Sequence, residues 1–180
     1  ATLKMPDYMA NMMAAGVLGN KTGAGFFKKD GKTRLALDPS SGDYTPESEI
    51  KLPDLSYIDA VAEKHSVGRY AEGMALFLAA EGDEAAIARK VIAGYISYAF
   101  HRAGDVTESI TGIDMIMGAG FNWAPPSVLV DTMGVGPAVA MIEQAGIPVP
   151  ANLAEAASAG RTEKFFNHEQ VNVGKYFVAS

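Results

Sequence analysis

The chain has 180 residues, 48% of them apolar, no cysteine, a mean hydropathy of +0.06 and a net charge of −6. That length and composition predict a folded protein with one core or two small ones, and the acidic balance argues against a general nucleic-acid binder. The missing cysteines remove disulfides, thiolate nucleophiles and cysteine metal sites together, and no apolar run predicts a membrane span or a secretory leader, so a cytoplasmic protein is expected.

In chain order, 5–15 reads as a helix with Met5, Met9, Met12 and Met13 on an apolar stripe, ended by Gly16. Flexible core filling is the common use of such methionines, and an adaptable binding groove is the rarer one. Gly19 to Phe27 then makes a glycine-rich turn into an aromatic strand. It is a poor phosphate-binding loop, because Asn20 separates glycine from Lys21 and a helix precedes it where a strand should. Gly25 to Leu37 reads as a hairpin turning at Asp30-Gly31. Asp38 to Pro53, rich in Pro, Ser, Gly and Asp, reads as a loop and the preferred domain boundary.

Two helices follow at 55–65 and 68–80. Asp83 offers an N-cap for 85–101, which is apolar nearly all round and therefore reads as a central buried helix. Thr107 is positioned to cap a helix through Met117, Pro125-Pro126 suit the first turn of another, and Gly134 and Gly146 are natural stops. A helix from Asn152 to about Ala159 precedes Phe165-Phe166 and Tyr176-Phe177, a candidate second hairpin.

Two segments carry a resemblance. Gly16-Val-Leu-Gly19-Asn-Lys21-Thr22-Gly23-Ala-Gly25-Phe26-Phe27 resembles the "G-x-L-G-x-K-T-G-x-G-F-aromatic" signature near the end of the C-terminal helical domain of 3-hydroxyacyl-CoA dehydrogenases. Gly112 to Pro126, with Leu129, Asp131 and Gly134 beyond, resembles the same domain's "D-I-D-x-x-M" segment. There Phe121-Asn122-Trp123 replaces the usual small loop and Pro126 stands where glycine is expected, as in the degenerate second copy of multidomain members. The resemblance implies a mainly α fold, a helical bundle of the 6-phosphogluconate-dehydrogenase C-terminal-like type with short β-hairpins. A faint echo of 13–27 in 158–166 supports a duplication. On that basis 1–45 is the tail of a first copy, 46–82 a linker with connecting helices, and 83–180 a second copy.

The implied activity is NAD-dependent oxidation of 3-hydroxyacyl-CoA in fatty acid β-oxidation, with this chain the substrate-binding and dimerisation portion. NAD and the catalytic His and Glu pair would sit in a Rossmann domain upstream of Ala1, so no catalytic residue is assigned here and the isolated chain should be inactive. The implied partners are an acyl-CoA thioester, that upstream domain and a possible second copy in a homodimer. The alternative is a non-catalytic helical interaction or scaffold module. Candidate substrate-binding residues are Lys21, Thr22, Lys28, Lys29, Asn122 and Trp123. For the lysines, a solvated hairpin guarding a sheet edge is the competing reading. For Phe121 and Trp123 it is sealing of the core. His65, His101 and His168 read as structural, His101 with Asp105 as a neighbour, and no pair has metal-ligand spacing. Asp114 and Asp131 are better placed than the histidines but not necessarily reactive; Asp114, a carboxylate within an apolar helix, needs a partner when buried, with Arg102 or a helix terminus available, and reads as structural.

Overall fold

The computed structural model describes residues 4–51 and 53–167. The polypeptide divides into two units, Ala1–Pro53 and Asp54–Ser180. The first unit opens with α1 (Asp7–Ala14), entered through the extended Pro6, and continues through a 3-10 turn at Asn20–Thr22. Strands β1 (Phe27–Asp30) and β2 (Thr33–Leu37) pair antiparallel with Asp30 opposite Thr33, which leaves Gly31 and Lys32 as the hairpin loop.

Segment 38–53 departs from the loop expectation, because it contains β3 (Tyr44–Pro46), paired antiparallel with β2 as the third strand of the sheet. A tight loop closed by Asp38 N–H to the Asp43 carbonyl (2.8 Å) and Gly42 N–H to the Asp38 carbonyl (2.8 Å) brings the chain back. Tyr44 then donates its hydroxyl proton to the Gly25 carbonyl, which ties β3 to the glycine turn. The methionines of α1 do not fill a core: none of its residues is buried, and Met13 is 55% exposed.

The second unit is helical, with α2 (Ser56–Ser66), α3 (Tyr70–Ala79), α4 (Asp83–Arg102), α5 (Ile110–Met115), α6 (Pro126–Met133), α7 (Val135–Gln144) and α8 (Ala151–Ser158). The chain is therefore mainly α with one small antiparallel sheet among the described residues. One apolar cluster joins α3, α4, α6, α7 and α8 through Phe77, Ile96, Phe100, Val130, Ile142 and Leu153. Polar ties align it. Arg89 donates to the Ala80 carbonyl (2.6 Å) and the Phe77 carbonyl (3.3 Å), satisfying the C-terminal end of α3, and buried Ser97 donates to the Pro148 carbonyl (2.7 Å).

Three local expectations are corrected here. Asp83 is the first helical residue rather than the cap, since Gly82 takes the cap position and Asp83 and Glu84 place their charge in the first turn, where the helix dipole favours it. Helix α4 is not buried all round: Ala93, Ile96 and Phe100 face the interior, but Ile87 (64%), Val91 (57%) and Tyr98 (69%) are exposed. The helix expected from Thr107 begins later, at Ile110 behind Ser109. Thr107 instead donates to the Ser109 carbonyl (2.7 Å) with its methyl against Gly112, and the helix runs on into a π-helical turn at Ile116–Gly120.

Phe165 and Phe166 are not in a strand. Their backbone N–H groups donate to the two oxygens of the Asp131 carboxylate, each at 2.9 Å, so α6 supplies the acceptors that a sheet would have given. The rest of the proposed second hairpin, with Tyr176-Phe177, lies outside the described residues, as does His168.

Candidate functional site

In the first unit the site begins with the glycine turn. Gly19 N–H donates to the Ala24 carbonyl (2.7 Å), and a Cβ on Gly25 would lie 2.8 Å from the Gly19 Cα, so the turn closes only if position 25 carries no side chain. Thr22 is the hub: its hydroxyl accepts from Leu18 N–H (3.0 Å) and lies 3.1 Å from the Gly19 carbonyl and 3.2 Å from the Ala24 carbonyl. That oxygen is engaged inside the turn. Lys21 projects from the same turn, exposed.

Beside the turn lies a cleft of about 630 Å³ lined by Asn20, Gly23, Phe27, Lys28, Lys29 and Arg34. Lys29 stands directly opposite Arg34 in the strand register. Like charges facing across a ladder repel, and an anion between them removes that penalty. Arg34 shares its charge with Glu47 (3.3 Å) and lies over the Phe27 ring at 4.3 Å, while the Lys28 ammonium sits 4.1 Å from the Tyr44 ring centroid. These contacts hold the cations in place without neutralising them all. Residues 1–53 carry seven Lys and Arg against six Asp and Glu, whereas 54–180 carry eight against fifteen. Four of those basic residues, Lys28, Lys29, Lys32 and Arg34, fall on this hairpin. Of the residues singled out from sequence, Lys28 and Lys29 line one cleft, Lys21 and Thr22 lie in the adjoining turn, and Asn122 and Trp123 belong to the other unit.

In the second unit, Asn122 adopts a positive φ of 54°, unusual for a residue with a side chain and characteristic of a sharply turned loop. Trp123 N–H donates to the Met117 carbonyl (3.0 Å), and its ring meets Tyr95 edge to face at 5.4 Å. Both Phe121 (64%) and Trp123 (52%) remain half open to solvent, so the core-sealing reading does not describe them. Tyr95 donates to the Ala124 carbonyl (2.8 Å), and burial, reinforced by the charge of Asp114, pushes its phenol pKa up, keeping it a neutral donor.

Asp114 is fully buried and finds its partner at the N-terminus of α6. One oxygen accepts Ser127 N–H at 3.1 Å, and the other accepts the Ser127 hydroxyl. Burial raises its pKa to about 6, against the lowering effect of the Ser127 bonds, and the nearby Asp131 adds to the rise. Arg102 is not involved, since it pairs with Asp105 at 2.9 Å. This also alters the picture for His101, whose Nδ1–H donates to the Ser97 carbonyl (2.8 Å) within α4. The His65 ring lies tilted beside Tyr70 (5.3 Å between centroids), and a Cβ on Gly73 would lie 2.5 Å from it. Ser127 is the residue that sequence reasoning missed; its only signal was a hydroxyl one position after the paired prolines. Among the described residues no group of His, Asp and Glu is disposed to hold a metal ion, and no helix is long and apolar enough to cross a membrane.

The described residues do not fit a dinucleotide cofactor. That fit needs a strand, then a glycine turn, then a helix aimed at the pyrophosphate, and here the order is helix α1, glycine turn, strand β1 in an antiparallel sheet. Comparison with known proteins finds a probable 3-hydroxyacyl-CoA dehydrogenase of Bacillus subtilis, 29% identical over 174 residues, which cover 96% of this chain. The chain is similar to a 3-hydroxyacyl-CoA dehydrogenase. It spans about a fifth (21%) of the length of that relative. No protein-family model and no solved structure matches it. The likeness read from the two glycine-bearing motifs and the match along 96% of this chain point to the same dehydrogenases.

Proposed function

We propose that the chain is the substrate-binding and dimerisation portion of an NAD-dependent 3-hydroxyacyl-CoA dehydrogenase, which oxidises 3-hydroxyacyl-CoA to 3-oxoacyl-CoA in fatty acid β-oxidation in the cytoplasm. The observation that carries this is the match along 96% of the chain to a probable enzyme of that kind. In this reading 1–45 closes a first helical copy, 46–82 connects, and 83–180 is a second copy, while NAD is held by a Rossmann domain elsewhere in the polypeptide. Lys28 and Lys29 attract the phosphates of the thioester carrier with Lys21 nearby, Thr22 fixes the turn, and Asn122 and Trp123 form a further contact surface. These residues bind and orient; none of them moves a hydride.

A non-catalytic interaction module is the second reading. The apolar side chains Ile87, Val91 and Tyr98 left exposed on α4 favour it. Oxidation of NADH by acetoacetyl-CoA separates the two. On the dehydrogenase reading the 180-residue chain alone gives no turnover and a longer polypeptide carrying a dinucleotide-binding region gives it, with turnover reduced by Lys28→Glu and Lys29→Glu. Full activity of that doubly substituted polypeptide would favour the interaction module.

A further inference from the structure

A second groove adjoins the basic cleft. Met9, Met12, Met13, Val17, Leu18 and Phe26 line a space of about 210 Å³ floored by Gly19 and Gly25. The residues between those glycines, Asn20 and Gly23, line the basic cleft instead. The turn at 19–25 is therefore a shared wall with cations on one side and an apolar trough on the other. The trough is open: Met13 is 55% exposed, Leu18 65% and Phe26 46%, and α1 is held to the hairpin by the Tyr8–Phe26 edge-to-face contact at 6.3 Å.

The geometry points to a bipartite site for an anionic amphiphile: an acyl chain lies along the methionine trough while its phosphate-bearing head group is held by Lys29 and Arg34, which face each other across the ladder. The inference rests on the acyl-CoA reading above and adds to it the place where the acyl tail lies. Three observations support this occupant. Lys29 and Arg34 face each other in the strand register beside the turn, and an anion between them offsets their repulsion. The trough is lined by side chains whose exposure to water is unfavourable, so an apolar occupant is stabilised there. Three methionines on one face can repack around chains of different length, which a wall of β-branched residues could not do.

The test is calorimetric titration of the 180-residue chain with CoA, butyryl-CoA and dodecanoyl-CoA, all below micelle-forming concentration. Dodecanoyl-CoA should bind about tenfold or more tighter than butyryl-CoA, from the burial of extra methylenes. Met9→Gln with Met13→Gln should bring that ratio close to one. Both are surface positions, and far-ultraviolet circular dichroism checks that α1 persists. Lys29→Glu should weaken both thioesters together and leave the ratio standing. Equal affinity for the two thioesters overturns the tail site while leaving head-group recognition, and with it the dehydrogenase reading, in place. The preference should persist in a longer polypeptide carrying these residues; its loss there overturns the tail site, the trough then being covered by that polypeptide. Absence of binding by CoA and both thioesters overturns the site, and the dehydrogenase reading is judged separately by NADH turnover. Co-sedimentation with phosphatidylglycerol vesicles without soluble thioester binding likewise overturns it, assigning the surface to a membrane.

Discussion

The two units solve opposite problems. Residues 54–167 enclose an interior in which Ile96, Ile142 and Leu153 are inaccessible to solvent, whereas among the described residues of 1–53 the buried apolar side chain is Ala36. A unit that hides so little has side chains to offer to something else. A unit with a closed core can hold its shape while presenting a few exposed groups, such as Trp123 and Tyr98, at its surface. The difference separates a unit with an enclosed apolar core from one whose apolar side chains lie mostly at its surface.

The largest effect should come from breaking the closed core. Phe100→Ala removes a ring packed edge to face on Phe165 at 5.4 Å, and we expect about 3–5 kcal/mol of lost stability in urea unfolding. An effect below about 1 kcal/mol would show that the second unit is not the rigid one. Next is Asp114. Its folded pKa, about 6, lies above the ordinary 3.8, so the folded state holds the proton more tightly and stability contributed by this group falls as pH rises between those values. The cost is complete above about pH 6 and is on the order of 3 kcal/mol. Asp114→Asn should therefore gain on the parent as pH rises from about 4 to about 6 and then hold level, as read from unfolding midpoints. A difference that does not vary with pH would show that the carboxylate is not buried.

Asp131→Ala strips the acceptors from two backbone N–H groups and should cost about 2–3 kcal/mol, with faster hydrogen exchange confined to Phe165 and Phe166. Gly25→Ala forces a methyl to 2.8 Å from the Gly19 Cα and should cost about 1–3 kcal/mol within the first unit, visible as loss of protection at the Gly19 amide. The smallest effect sharpens the contrast from the other side. Met13→Ala, at a 55% exposed position, should change stability by less than about 0.5 kcal/mol. A loss of about 2 kcal/mol would mean that α1 is packed after all.

Much of the fold was legible because it is written locally. Helices α2, α3 and α8 follow from apolar period and from glycine or proline at their ends, and the β1–β2 hairpin from aromatic residues and a glycine turn. Strand β3 was not, since three residues in a polar, proline-bearing segment become a strand only through pairing with β2. The basic cleft was visible as a cluster of lysines, but its cross-strand Lys29–Arg34 opposition depends on register. The bond between Asp114 and Ser127 joins residues thirteen apart through the packing of α5 on α6, which no spacing rule announces. The sequence pattern identified the apolar stripe of α1 and the apolar run of α4 but could not say which of their side chains the chain itself covers; Met13 and Val91 are left exposed by the described residues.

The contrast between the units has one direct test: hydrogen exchange of the 180-residue chain with and without dodecanoyl-CoA. The account predicts that protection gained on binding is greatest in α1, the 19–25 turn and β1, while the core of α4, α6 and α7 is already protected and changes little. Protection gained only within 54–167, with the first unit unchanged, would contradict it.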